Sequence, residues 1–284
     1  MNRLAIALTS LVSALSFAAP LNVEAINAGP GGFLVTSTLI TGEKEAVLVD
    51  AQLTLSEAHR VAAKVLESGK TLTTIVITHG HPDHFFGLEV FKAQFPGAKI
   101  IASAKVVAEA KADAGPSLTQ WKPEFGANLT SAPIFPEVFD GKSIELEGQK
   151  LELIALGEGE SHDGTAVWVP SAQTLIAGDV VFDGVHAWLA EAGSQARRDS
   201  WLKNLATLKA LKPKVVIGGH RAPDAKSAPE SLDAVATYVR DFGAAQAKAK
   251  TAAELTAAVN AKHGKLALPV ILDIAAAAAV PAKK

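Results

Sequence analysis

Residues 73–84 of the 284-residue chain read TTIVITHGHPDH, and this stretch places three histidines and one aspartate directly after an apolar run. The run at 73–77 is rich in β-branched residues, which is typical of a buried strand. After the cluster, Phe85, Leu88 and Phe91 recur at helical spacing. The sequence therefore predicts that the polar cluster lies on a loop between a strand and a helix, where rigid elements commonly hold metal-binding and catalytic groups.

The four polar residues of this loop have the chemistry of a metal site. His79 and His81 can direct two imidazoles at one point, while Asp83 and His84 lie on the following turn and can direct their side chains at a second. Imidazole and carboxylate are the ligands that zinc accepts where thiolates are absent, and the chain has no cysteine. A histidine-rich surface loop is the alternative, but the flanking strand and helix favour a site.

Three further candidate ligands follow in the second half of the chain. His162 stands in the segment ESHDG at 160–164, Asp179 follows Ala-Gly, and His220 follows Gly-Gly. Each is a weak signal by itself, because a lone histidine is more often a surface or core residue and an aspartate after glycine is often a turn residue. Their order along the chain, after the first cluster, makes the joint pattern specific.

The four motifs together resemble those of the metallo-β-lactamase superfamily, over about residues 25–225. The resemblance implies an α/β (α+β) fold, a four-layer αββα sandwich of two mixed β-sheets flanked by helices, with one or two metals at the edge of the sheets. The pattern of the chain agrees, because each half has strands followed by helices. That order predicts two facing sheets with helices outside them.

The same resemblance implies a ligand set for two zinc ions. It assigns the first ion to His79, His81 and His162. It assigns the second ion to Asp83, His84 and His220, with Asp179 as a bridge between the two ions. Three neutral imidazoles leave tetrahedral zinc with one open position, which marks a catalytic site. Asp83 is also the predicted catalytic residue, since its carboxylate can hold the attacking water and pass a proton to the leaving group.

The resemblance is closer to glyoxalase II-like thioesterases and lactonases than to true β-lactamases, because the chain has no cysteine and has Asp179 in the bridging position. It predicts a hydrolase of a small-molecule substrate that cleaves the acyl bond of a lactone or other ester, a thioester or a β-lactam, with water activated by two zinc ions. Two alternatives stay open: an oxidoreductase resembling the persulfide dioxygenases, with one iron, and a zinc-binding protein without turnover. Diiron flavoproteins of this fold are disfavoured, since they usually carry an acid at the place of His81.

Aromatic residues provide candidates for a substrate pocket. Residues 115–136 lack clear periodicity and carry Trp121 and Phe125, which we predict to line an apolar wall over the metals. The alternative is that these rings only attach the segment to the core. His186 and Trp188 follow the bridging aspartate closely and are further pocket candidates, with a purely structural role slightly favoured.

Residues 1–18 have the features of a signal peptide: Arg3, an apolar run over 4–15 and Ser-Phe-Ala before a predicted cleavage site. The run is shorter than the ~20 residues of a membrane span, so a transmembrane anchor is the disfavoured alternative. This predicts a periplasmic or secreted protein with no stable membrane anchor after signal cleavage.

Residues 19–284 are predicted to form a single domain with a C-terminal helical extension over about 226–284, which ends in an alanine-rich docking helix at 269–280.

Composition argues against nucleic acid as a partner. The chain has 27 Lys and Arg against 29 Asp and Glu, a net charge of −2, and no basic cluster. Without cysteine it can form no disulfide. The sequence does not indicate an oligomeric state.

Asp50, at the end of a predicted strand, either supports the metal site or caps the strand.

Overall fold

The computed structural model describes residues 19–280, so the predicted signal peptide at 1–18 and residues 281–284 lie outside the described part of the chain. The described strands are β1 (Asn22–Asn27), β2 (Thr36–Thr41), β3 (Glu45–Val49), β4 (Thr71–Val76), β5 (Lys99–Ala102), β6 (Glu137–Val138), β7 (Ser143–Leu146), β8 (Gln149–Leu156), β9 (Gly164–Val169), β10 (Thr174–Asp183) and β11 (Val215–Arg221). The described α-helices are α1 (Leu55–Glu67), α2 (Pro82–Phe85), α3 (Leu88–Gln94), α4 (Ala104–Phe125), α5 (Gln195–Lys209), α6 (Ser231–Gln246), α7 (Ala252–His263) and α8 (Pro269–Ala279).

The strands form two mixed sheets. A six-stranded sheet has the order β1-β2-β3-β4-β5-β6, and a five-stranded sheet has the order β11-β10-β9-β8-β7. The first sheet is antiparallel from β1 to β3 and parallel from β3 to β6. In the second sheet only β10 and β11 are parallel. Both sheets therefore include parallel strands, whose carboxyl ends are a common place for functional loops.

Three apolar layers hold the fold together. Side chains such as Val47, Val76, Val167 and Ile176 fill the space between the two sheets. The outer face of the six-stranded sheet packs against α1, α3 and α4, and that of the five-stranded sheet against α5 to α8. Two facing sheets with helices outside are the predicted αββα sandwich, and the predicted fold is confirmed.

The prediction of an irregular segment over 115–136 is wrong in its first half. Helix α4 continues through Pro116 and Pro123 to Phe125 and is followed by a 3₁₀ turn at Gly126–Asn128, so that only residues 129–136 lack helix and strand. A proline inside a helix removes one N–H and crowds the preceding turn. Tertiary packing compensates, because Trp121 and Phe125 on this extension lie against the core of the first half.

The predicted C-terminal docking helix is α8, and it packs against the outer face of the five-stranded sheet and its helices. Its apolar face buries Leu272 and Ala276, which are 1% and 0% exposed. Among the described residues, no helix combines the length and apolar character that crossing a membrane requires.

Replacing Leu272 with alanine should lower the free energy of unfolding by about 2–5 kcal/mol, because it leaves a cavity where the side chain is 1% exposed. Chemical denaturation of the purified protein measures this change. The matched control is Leu66→Ala, since Leu66 also lies on a helix but is 64% exposed, and its stability change should be within about 0.5 kcal/mol. Equal losses in the two variants would contradict the docking of α8.

Candidate metal centre

The loop after β4 holds the first histidines, as the sequence predicts. His81 precedes the short helix α2, and Pro82 is the first helical residue, a position where the missing N–H of proline has no cost. Gly80 is required beside it, because a Cβ at this position would lie 2.5 Å from Cγ of Glu109 on α4. The loop is therefore held closely between the six-stranded sheet and α4.

Asp50 follows β3 in a left-handed conformation (φ 63°) and orients two of the histidines. Its carboxylate accepts from the backbone N–H of Thr78 at 2.8 Å, from the hydroxyl of Thr78 at 2.8 Å and from Nδ1 of His84 at 2.8 Å. The one hydroxyl proton of Thr78 goes to this carboxylate, so Nδ1–H of His79 donates to the hydroxyl at 3.0 Å. Nε2 of both imidazoles is then free to bind a metal, and Asp50 supports the site as well as ending its strand.

Asp179 on β10 lies where the imidazole nitrogens converge. Its Oδ1 is 3.1 Å from Nε2 of His84, and its Oδ2 is 3.7 Å from Nε2 of His79. Nε2 of His220, on the neighbouring β11, is also 3.1 Å from Oδ2. Nδ1 of His220 donates to the backbone carbonyl of Phe33 at 2.6 Å, which again leaves Nε2 as the free nitrogen. Three imidazoles thus point at one buried carboxylate, the arrangement expected around a bridging ligand.

Two glycines make room for this carboxylate. A Cβ on Gly219 would lie 1.9 Å from Oδ1 of Asp179 and 2.8 Å from the carbonyl carbon of Gly178. Gly178 itself has φ 56°, which L side chains rarely adopt. The Ala-Gly-Asp and Gly-Gly-His segments are therefore needed for the close approach of β10 and β11.

Asp83 lies at the open side of the cluster. Its side chain is 16% exposed, and Oδ2 is 3.2 Å from Nε2 of His220 and 3.8 Å from Nε2 of His84. Burial opposes ionisation of Asp83, but the charges of His84 and His220 outweigh it and hold the pKa of this carboxyl well below its usual range. Asp83 is therefore a carboxylate at neutral pH.

The acids act on the imidazoles in return. Burial disfavours the charged form of His220, but Asp179 and Asp83 outweigh it and raise the pKa of His220 to about 10. In His84, too, burial is outweighed by Asp179, Asp50 and Asp83, so that its pKa is well above the usual value. A field that holds protons on two buried imidazoles also attracts a divalent cation, whose binding would displace those protons.

A second group of acids surrounds His81. Nε2 of His81 lies 3.0 Å from Oε1 of Glu191, which leaves Nδ1 as the nitrogen that can bind a metal. Glu160 is a second acid close to His81, and it is 2% exposed. Burial raises the pKa of Glu160 to about 8. Potential ligand atoms of His79, His81 and Glu160 all lie within 4.8 Å of one another.

The structure does not bring His162 into this cluster. Its imidazole is 64% exposed, and Nε2 is 3.8 Å from Oε2 of Glu191. Its backbone N–H donates to Oε1 of Glu109 at 3.0 Å, which fixes the chain with the side chain outward. The other six predicted ligands do lie together. They are His79, His81, Asp83, His84, Asp179 and His220.

Buried atoms without partners show that a cation fits these residues. Among the described residues, four buried ligand atoms of the cluster have no hydrogen-bond partner: Nε2 of His79, Nε2 of His84, Oδ1 of Asp179 and Oε2 of Glu160. Unsatisfied buried polar groups are rare and costly. The four atoms fall in two groups of potential ligands, His79, His84 and Asp179, and His79, His81 and Glu160, so that divalent cations bound there would satisfy them. The donor set of imidazole and carboxylate without thiolate suits zinc, iron and manganese.

A cavity of about 300 Å³ opens above the cluster. Its floor includes Asp83, Asp179 and His220. Two of the pocket candidates, Trp121 and Trp188, line it, although the sequence slightly favours a structural role for Trp188. Phe125 lies behind Trp121, with ring centroids 6.1 Å apart, and does not line the cavity. His186 also lies elsewhere, fully buried with Nδ1 2.8 Å from the hydroxyl of Tyr238.

Sequence reasoning missed the acids around His81 and the contribution of α8 to the cavity. Glu160 stands two residues before His162, and no pattern in the sequence distinguished an inward from an outward side chain in this loop. For Glu191 the sequence has one weak signal, which is its place three residues after the pocket candidate Trp188. In the structure its carboxylate accepts from Nε1 of that ring at 3.4 Å. Ile271 of α8 reaches the cavity only because the last helix packs back over the domain.

Comparison with protein families and curated proteins gives two matches. The family model of the metallo-β-lactamase superfamily matches residues 30–220. The uncharacterized protein YobT of Bacillus subtilis (strain 168) is 37% identical over 76 residues, which cover 27% of this chain and 32% of that protein. The matched segment thus spans about a third of this relative.

Solved structures show the same fold. The metallo-beta-lactamase family protein TTHA1429 from Thermus thermophilus superimposes with a TM-score of 0.61 at 21% identity, over 88% of this chain and 91% of that chain. The stereoselective inverting sec-alkylsulfatase Pisa1 from Pseudomonas sp. has a TM-score of 0.59 at 19% identity, over 86% of this chain and 47% of that chain. At such identities the likeness extends to the fold alone.

Proposed function

Because the chain belongs to the metallo-β-lactamase superfamily, we propose that it is an exported hydrolase that binds about two zinc ions and cleaves the acyl bond of a neutral, apolar ester or lactone. The observation that carries this proposal is the convergence of three imidazole Nε2 atoms on Asp179 at the floor of an apolar cavity. The family and the site support a metal-dependent hydrolase; the substrate, the zinc ions and export through residues 1–18 are our proposal.

The residues of the site have distinct roles in such a reaction. Zinc ions, when bound, supply Lewis acidity toward a carbonyl oxygen and lower the pKa of a water molecule. Asp83, a carboxylate at the cavity floor, can accept a hydrogen bond from the attacking water and then pass its proton to the leaving group. Asp50 keeps His84 in one tautomer through its 2.8 Å hydrogen bond.

The cavity wall supports a neutral, apolar substrate. Trp121 of α4 and Val270, Ile271 and Ile274 of α8 form much of the wall. The charged side chains among the described lining residues are acidic apart from histidine, and none is Lys or Arg. A substrate with a carboxylate or sulfate would therefore find no fixed cation of the protein there. This ranks esters, lactones and thioesters ahead of β-lactams, which carry a carboxylate.

A chromogenic panel tests the proposal. It contains aryl esters and lactones of increasing alkyl chain length, a thioester, a β-lactam and an aryl sulfate. The expected result is metal-dependent hydrolysis that is fastest for neutral substrates with an apolar acyl group and is lost with a chelator. Fastest turnover of the β-lactam or the sulfate would contradict the proposed substrate class. Oxygen uptake by protein with one iron per chain would instead indicate the dioxygenase.

Replacing Trp121 with alanine should lower kcat/KM for long-chain esters by about tenfold or more, because the substrate loses apolar contact in the wall. The effect on acetyl esters should be several times smaller, and the metal content should not change. Kinetics across a chain-length series measure the difference. Phe95→Ala is the control, since Phe95 packs against the same core but does not line the cavity. An equal loss for short and long esters in Trp121→Ala would assign Trp121 to the core alone.

A further inference from the structure

We infer that Glu160, and not His162, is the third protein ligand of the metal bound by His79 and His81, which gives that subsite two imidazoles and one carboxylate. This inference rests on the proposed function only for the presence of the metal. It changes the expected donor set of the site, because the resemblance to the superfamily implies three imidazoles there.

The position of the Glu160 carboxylate is the first argument. It is 2% exposed, and its Oε2 is buried without a hydrogen-bond partner among the described residues. Its potential ligand atom lies within 4.8 Å of those of His79 and His81. Ligands of one zinc ion lie roughly 3–4 Å apart when each bond is about 2.0–2.1 Å, so small side-chain rotations are sufficient to bind one.

The anchoring of the loop around Glu160 is the second argument. Its other oxygen, Oε1, lies 3.0 Å from the hydroxyl of Ser161, whose one proton it shares with the backbone carbonyl of Asp163 at 3.1 Å. Helix α4 holds the next residues from outside: Glu109 accepts from the backbone N–H of His162, and Nζ of Lys105 lies 2.7 Å from Oδ2 of Asp163. These contacts hold the backbone of the loop in the position in which the Glu160 side chain is buried and the His162 imidazole is 64% exposed.

Charge is the third argument. The two subsites would then contain three carboxylates, Glu160, Asp83 and Asp179. Their three negative charges would balance most of the roughly four positive charges of two divalent ions. A buried carboxylate next to a cation is a compensated charge, whereas the same carboxylate without one is costly. Two imidazoles and one carboxylate are also a known donor set of hydrolytic zinc sites.

Metal binding by two matched variants tests the inference without any activity assay. Metal is first removed with a chelator from the unaltered chain and from the variants Glu160→Gln and His162→Ala. Each protein is then titrated with Zn²⁺ and with Co²⁺, whose visible absorption depends on its ligands. Glu160→Gln should weaken one metal per chain by at least about 100-fold and change the cobalt spectrum. His162→Ala should keep the metal content, affinity and cobalt spectrum of the unaltered chain.

Thermal unfolding of the chelated proteins separates ligation from a structural role. Glutamine has the shape of Glu160 and is neutral, as a buried Glu160 with a pKa raised to about 8 mostly is at neutral pH without metal. The metal-free Glu160→Gln variant should therefore be about as stable as the metal-free parent. Its stabilisation by added Zn²⁺ should be smaller than that of the parent. Loss of stability without metal, together with unchanged zinc affinity, would overturn the inference.

Two other outcomes would also overturn it. If His162→Ala loses a metal and Glu160→Gln does not, the third ligand is His162. If both variants bind metal as the unaltered chain does, neither side chain is a ligand. Failure of the proposed function is distinguishable, because the unaltered chain would then bind its metals and hydrolyse none of the panel substrates, and the assignment of Glu160 would still hold.

Discussion

Asp179→Asn is expected to reduce the bound metal from about two ions per chain towards one and to lower kcat by at least about 100-fold. Asp179 has one oxygen 3.1 Å from Nε2 of His84 and the other 3.1 Å from Nε2 of His220. Asparagine keeps the shape but has no charge, and only one of its terminal atoms is a good metal ligand. The subsite of His84 and His220 should lose its ion first, since Asp83 is then its only anion.

Elemental analysis after dialysis and steady-state kinetics measure these two effects. The control is His59→Ala, because His59 is exposed and its Nδ1 lies 3.1 Å from the side-chain amide of Gln94, away from the cluster. This control should leave metal content and kcat unchanged. Asp179→Asn with two tightly bound ions and near-normal turnover would mean that Asp179 is a turn residue and that no bridge operates.

Gly219→Ala is expected to have an effect of similar size through sterics alone. The added Cβ would lie 1.9 Å from Oδ1 of Asp179 and 2.8 Å from the backbone of Gly178. The carboxylate could avoid the methyl group only by rotating away from the imidazoles, and the backbone of Gly178 cannot move without shifting β10 against β11. We expect weaker metal binding, a fall in kcat of at least about 100-fold and a loss of about 1–3 kcal/mol in the free energy of unfolding.

Gly97→Ala is the matched control for this substitution, because no atom lies within 4 Å of a Cβ built on Gly97. Metal titration, kinetics and denaturation should all be unchanged in Gly97→Ala. If Gly219→Ala also kept metal and activity, the close approach of Gly219 to Asp179 would not be a requirement of the site.

The parts of this protein that follow from local pattern could be predicted from its sequence. The β-branched run at 73–77 lies on β4 as far as Val76 and is followed by a loop. The capping residue Thr54 starts α1 by accepting from the N–H of Glu57. Apolar runs separated by turn residues, such as Glu147-Gly148, gave the hairpin of β7 and β8. These features depend on neighbours in the chain, so the sequence contains the information directly.

The parts that depend on tertiary packing could not be predicted. Pro116 argues against a helix, yet α4 continues because Trp121 and Phe125 have a core to pack against. Whether Glu160 or His162 faces the cluster of imidazoles depends on how α4 holds their loop from outside, through Lys105 and Glu109. His186 and Phe125 were reasonable pocket candidates by sequence, but Tyr238 and Trp121 place them away from the cavity.

The number of metal ions in the active chain decides whether the proposed site works with two zinc ions. Purified, dialysed protein would be analysed for zinc, iron and manganese while its hydrolysis of a long-chain lactone is followed during stepwise metal return. We expect about two zinc ions per chain, with turnover that reaches its maximum only as the second ion binds. Full lactone hydrolysis with a single ion, or two bound ions without hydrolysis of any ester or lactone, would contradict it.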